Sequence, residues 1–197
     1  MKMLDCLIAP KAQVLAVLDF WFGAEPGNSR REWFRKDSGF DAQVRTRFGE
    51  LHAQAARGEL DAWRASPEPM LALVIVLDQF SRNLYREDAR AYAQDPRARA
   101  HAAEALRRGD DRGMLPVQRQ FLYLPFEHSE DRLDQEKAVE LMRSLEEFEA
   151  TRGLTQWALK HRDVVACFGR FPHRNAALGR ASSAEELEYL SRPGSGF

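Results

Sequence analysis

Apolar residues recur at helical spacing almost from one end of this chain to the other. Val14, Val17, Leu18 and Trp21 stand at i, i+3, i+4 and i+7, on one face of a helix that opens at Pro10 and stops at Gly23. Val44, Phe48, Leu51 and Ala55 form the next stripe, in a helix over residues 40–57 closed by Gly58, with a short helical turn over 60–65. Leu71 to Leu77 is apolar throughout and suits a buried strand as well as a helix. Its flanks decide for helix. Ser66-Pro67 is a helix-start signature, and nothing breaks the run before Leu84.

Further helices follow from the same signals. Asp95-Pro96 caps and opens one that ends near Gly109, and Pro116 opens another that Pro125 should kink or end. Ser129 is the expected N-cap of a long acidic helix reaching about Thr151. The last major helix covers residues 155–168, and a short one covers 183–190. No strand pattern emerges. The expected fold is all-α, a single domain over residues 1–197, with about nine helices stacked as antiparallel hairpins and no clean 34-residue repeat.

Polar residues interrupt this pattern at three points. Phe80-Ser81-Arg82-Asn83 closes one apolar run, Phe171-Pro172-His173-Arg174-Asn175 closes another, and Phe126-Glu127-His128-Ser129-Glu130-Asp131 follows a third. An unpaired polar group in apolar surroundings costs roughly 1 to 3 kcal/mol, so these groups must meet one another or a ligand.

Each has a plain reading beside a chemical one. Asp78 and Arg82 are four residues apart in the acid-then-base order of an intrahelical ion pair. Gln79, Arg82 and Asn83 also offer donors suited to a carboxylate or phosphate. Glu130 and Asp131 are ordinary first-turn acids after a Ser129 cap, whereas Glu127 and His128 precede that cap and are the candidate acid–base pair. His161 falls on a stripe with Trp157, Val164 or Val165, and Phe168, which reads as a core histidine. Arg170, His173, Arg174 and Asn175 crowd one loop and are candidates to hold an anion.

Composition narrows the classes. The 29 Lys plus Arg nearly balance 30 Asp plus Glu, which removes any long-range attraction to nucleic acid or an anionic membrane. The balance is uneven locally. Residues 127–149 hold nine acids and three bases, and residues 160–180 hold five bases and one acid, so the two stretches can face each other. Cys6 and Cys167 form no disulfide or zinc pattern, which fits a cytoplasmic protein, and no stretch approaches the roughly 20 apolar residues of a membrane span. No metal-binding spacing, P-loop, dinucleotide fingerprint or serine-nucleophile elbow is present, so no metal or cofactor is expected.

These phrases together resemble the bacterial family called domain of unknown function 924. The resemblance is carried by Val17-Leu-Asp-Phe-Trp-Phe-Gly23 and Arg90-Ala-Tyr-Ala-Gln-Asp-Pro96, and by residues 71–86, 121–131 and 168–180. The family pattern has proline where Ser81 stands and Thr-Pro where Ser183-Ala184 stand. The resemblance implies a tetratricopeptide-like helical arrangement and neither an activity nor catalytic residues. Three functions follow from the residues. The first is a binding module holding an anionic small molecule or an acidic peptide in a groove lined by Gln79, Arg82, Asn83, Arg170, His173, Arg174 and Asn175. The second is a buried polar lock, and the third is an enzyme using Glu127 and His128.

Overall fold

In a computed structural model, residues 2–196 are described, with side chains from Lys11 onward. Among the described residues there are eight α-helices: α1 (Lys2–Phe22), α2 (Ser38–Arg57), α3 (Pro67–Leu84), α4 (Asp95–Arg108), α5 (Pro116–Glu127), α6 (Arg132–Arg143), α7 (Leu154–Phe168) and α8 (Ala184–Leu190). Short 3-10 turns join them, one of them the expected turn at Asp61–Ala65. Among the described residues there is no strand.

Most starts and stops follow the sequence signals. Asp37 caps α2 by accepting from the Phe40 N–H, Pro67 opens α3, and Ser183 and Glu186 form a reciprocal capping box at α8. Four differ. Helix α1 begins at Lys2, so Pro10 lies within it. The first residue of α4 is Asp95, with Gln94 outside it, so the Asp95 carboxylate is not a cap. Pro125 sits inside α5, which ends two residues later. The acidic helix is capped by Asp131, whose carboxylate accepts from Leu133 and Asp134, and it stops at Arg143.

Helix α3 is the axis of the core. Every residue from Met70 to Ser81 is buried, and from Met70 to Leu77 the helix is apolar all round, so this stretch must be enclosed on every side. Helices α1, α2, α4 and α5 enclose it, and α6 and α7 continue the stack beyond α5. Neighbours run antiparallel. Asn83 at the end of α3 meets Asp41 at the start of α2, and Arg82 meets Asp95 at the start of α4. The aromatics of residues 20–22 fill the junction, with Trp21 edge-on to Phe121 at 5.3 Å and Phe20 stacked on Phe40 at 5.0 Å. Each buried aromatic or aliphatic side chain contributes about 1.5 to 3 kcal/mol.

Gly58 ends α2 at φ 85°, a left-handed backbone that an L-residue enters at a cost of about 1 to 2 kcal/mol. It also gives Arg97 room to donate to the Ala55 and Ala56 carbonyls at 3.1 and 2.8 Å. A Cβ there would stand 2.8 Å from Arg97 Nη2. Gly58→Ala is therefore expected to lower stability by about 1 to 2 kcal/mol in urea unfolding. An unchanged midpoint would show that neither strain nor the Arg97 cap matters.

Candidate functional site

The polar C-terminal third of α3 sends its side chains in three directions. Toward α2, Asn83 donates to Asp41 Oδ1 at 2.8 Å, where Arg86 also binds with a forked pair of hydrogen bonds at 2.5 and 2.8 Å. Although burial pushes Asp41 up, Arg86 and Asn83 hold it below the usual carboxylate range. Ser81 donates to the Leu77 carbonyl and makes a 2.8 Å hydrogen bond with His52. Toward α4 and α5, Asp78 and Arg82 begin a longer network.

Asp78 is fully buried. Its Oδ2 accepts from Gln79 at 2.6 Å, and its Oδ1 meets Arg82 at 3.2 Å and His128 Nδ1 at 2.8 Å. Burial alone would raise its pKa, but Arg82 and His128 hold it far below the ordinary value. Arg82 also grips both oxygens of Asp95 at 3.0 Å. The expected intrahelical ion pair is present, and it is one edge of a larger array. Arg180, unremarked in the sequence, forks onto both oxygens of Glu130 at 2.7 and 3.0 Å, and the Phe171 N–H donates to Glu130 as well. Glu130 is thus no helix-start acid.

Glu127 and His128 do not pair with each other. They are consecutive at the end of α5, so their side chains diverge by roughly 100°. Glu127 turns inward to His161 of α7, with Oε1 3.1 Å from Nδ1, and the same ring nitrogen lies 2.9 Å from the Trp157 carbonyl. Burial, helped by Asp78, pushes the Glu127 carboxyl up to about 8. Burial pulls His161 down to about 3, so this pair is neutral at pH 7. His161 is the buried core histidine expected, but its stripe is Ala158, Val164 and Val165; Trp157 is 51% exposed, with Lys160 over its ring at 4.2 Å.

The loop after α7 divides. Arg170 forks onto Glu186 at 2.6 and 2.8 Å, and Asn175 donates to Ser182 and Glu186 and accepts from Arg180. Both therefore tie the loop to α8. His173 lies with its ring centroid 5.6 Å from that of Phe171, and burial with Arg174 lowers it to about 4. Arg174 is only 6% exposed and is packed over Tyr92 and Phe171, 4.7 and 4.5 Å from the ring centres. Among the described residues its side chain makes one hydrogen bond, Nη1 to Asp95 at 3.4 Å, and its buried Nε has no partner. Burial and the neighbouring Arg82 pull it down to about 10.

A cleft of about 330 Å³ opens over this array, lined among others by Tyr92, Asp95, Arg99, His128, Glu130 and Arg174. Of the residues singled out by sequence, His128 and Arg174 line it. Arg82 and Gln79 stand behind its wall through Asp95 and Asp78, and Asn83, Arg170 and Asn175 serve other contacts. Tyr92, Asp95 and Arg180 were the missed members. All three lie in the stretches that carry the family resemblance; Asp95 otherwise read as a helix cap and Arg180 as one base of the stretch 160–180. A second hollow of about 430 Å³ between α1 and α2 holds none of these residues. Its Arg30 is taken by the Phe20 and Trp21 carbonyls. Among the described residues, no group of three or more His, Cys, Asp or Glu is placed to hold a metal.

Residues 17–194 match the family described as bacterial protein of unknown function, DUF924. The chain belongs to this family. Among solved structures, a protein of unknown function from Agrobacterium tumefaciens is 44% identical, covers 92% of this chain and 98% of its own, and superposes with a TM-score of 0.83. No curated protein matches the sequence significantly. Of the two departures from the family pattern, Ser81 replaces a ring with a hydroxyl that His52 uses, and Ser183 supplies the α8 cap. Neither touches the cleft. No helix among the described residues is long and apolar enough to cross a membrane.

Proposed function

We propose that this DUF924 protein is a cytoplasmic binding module whose cleft holds a small molecule by an anionic group, a carboxylate or phosphate, set against Arg174. The observation that carries the reading is the under-used Arg174 guanidinium. A planar fork with five N–H donors makes one long hydrogen bond, although it is almost wholly buried. The half-buried arginines of the network make forked contacts near 3 Å, Arg82 on Asp95 and Arg180 on Glu130. Those forks neutralise the carboxylates on the cleft wall and leave Arg174 donors for a ligand. Tyr92 supplies an apolar face beside it. A cleft of about 330 Å³ matches the size of a small molecule better than that of an acidic peptide.

The test is thermal unfolding of the full chain with inorganic phosphate, sulfate and small di- and tricarboxylates, compared with Arg174→Met. An anion at a hundred times its Kd adds about 2.7 kcal/mol, a rise of roughly 5 to 10 °C for a chain of this size. That rise should vanish in Arg174→Met. An equal response from both proteins removes the reading and leaves Arg174 as a structural lock, whose loss lowers the melting temperature alone.

A further inference from the structure

We infer that His128, oriented by Asp78, is the acid–base group of this cleft, exchanging a proton through Nε2 with a substrate whose anionic group rests on Arg174. The inference builds on the anion-binding reading and adds chemistry to it. Asp78 accepts from Gln79 and Arg82 and is 2.8 Å from His128 Nδ1. A carboxylate so held can only accept, so Nδ1 carries the proton and Nε2 of the neutral ring presents a lone pair. His128 is the residue immediately after α5 and lines the cleft with Arg174. Among the described residues, Nε2 makes no hydrogen bond, and Nδ1 to Asp78 accounts for the ring's polar contact.

The groups around this ring come from every neighbouring element. Helix α3 contributes Asp78 and Arg82, α4 contributes Asp95, α5 and the following loop contribute Glu127 and Glu130, α7 contributes His161, and the last loop contributes His173 and Arg174. Burial, then Arg82, lower the His128 pKa against the pull of Asp78, so the ring is a neutral base at pH 7. The proton balance is simple. An O–H or acidic C–H of the substrate gives its proton to Nε2, and the electron pair stays on the substrate oxygen or carbon. Asp78 stabilises the imidazolium formed, and Arg174 stabilises the added negative charge. Return of the proton to the product restores the ring. Such a positioned base is worth about 100- to 10,000-fold in rate.

Two measurements on the full-length protein test this. In a 15N-histidine sample, His128 should show a protonated Nδ1 and a bare Nε2 near pH 7; the opposite tautomer overturns the inference, with no variant needed. With diethyl pyrocarbonate, mass spectrometry should find His128 modified at least tenfold faster than buried His52, His101 and His161. Inorganic phosphate should slow that modification in the natural protein and not in Arg174→Met. If His128 is fast and correctly protonated but phosphate never protects, the anion site fails and the acid–base pair stands. If phosphate protects through Arg174 but His128 reacts no faster than the buried histidines, the acid–base pair fails.

Discussion

Asp78→Ala is expected to remove about 3 to 5 kcal/mol of stability and roughly 10 °C of melting temperature, because it strips one charge from a buried, hydrogen-bonded array. Two donors lose their acceptor at once, Gln79 Nε2 and His128 Nδ1, and Arg82 Nη1 loses one of three, keeping the residue-78 carbonyl and Asp95. Arg82 keeps Asp95, but Asp95 is also the acceptor for Arg174, so two guanidinium groups would share one carboxylate. The added mutual repulsion falls on the α3, α4 and loop junction. A surface pair gives the contrast. Asp88 binds Arg90 in the open, and Asp88→Ala should leave stability almost unchanged. Denaturant unfolding of both variants is the measurement; a loss below about 1 kcal/mol for Asp78→Ala would mean that the array relaxes around the gap.

Glu127→Gln is expected to change how stability depends on pH. The folded carboxyl titrates near 8, against 4.5 ordinarily, so the folded protein keeps a proton that the unfolded chain sheds. The contribution of Glu127 is therefore complete below pH 4.5 and is lost as pH rises through 8. Glutamine has no proton to lose, so the variant should gain on the natural protein steadily between pH 5 and pH 8. A tenfold difference in proton affinity between the folded and unfolded chain corresponds to about 1.4 kcal/mol, so the full swing is on the order of several kcal/mol. His161 and His173 work in the opposite sense. Their folded values near 3 and 4 lie below the ordinary 6.5, so their contribution is present above pH 6.5 and is lost as pH falls. Both histidines remain in the variant, so His173 cancels from the difference, which reports Glu127 together with its neighbour His161. Urea midpoints that differ by a constant amount at pH 5, 6.5 and 8 would show that Glu127 ionises normally.

These two residues illustrate what a local pattern can carry. The Asp78–Arg82 pair was legible because the helix period alone brings i and i+4 together. Its partners were not. His128 is 50 positions from Asp78, Arg180 is 50 from Glu130, and Arg174 is 79 from Asp95. Glu130 looked like a helix-start acid because such acids are common there, and nothing near it in the chain announces Arg180. Glu127 and His128 looked like one unit because they are adjacent, but adjacency along a helix separates side chains. Conversely, the opposed charge of residues 127–149 and 160–180 did foretell a meeting, seen in Glu130 with Arg180 and Glu136 near Arg162.

By itself, the sequence determined the all-helical class, the central place of residues 67–84, most helix ends and the core histidine, since each follows from short-range periodicity, capping and burial. Only the tertiary structure decided which charges meet, that Asp78 rather than Glu127 holds His128, and that Arg174 is buried with donors to spare. The reason is physical: helix period and capping act within a few residues, whereas the partner of a buried charge is whichever group the packing of distant helices brings within about 3 Å.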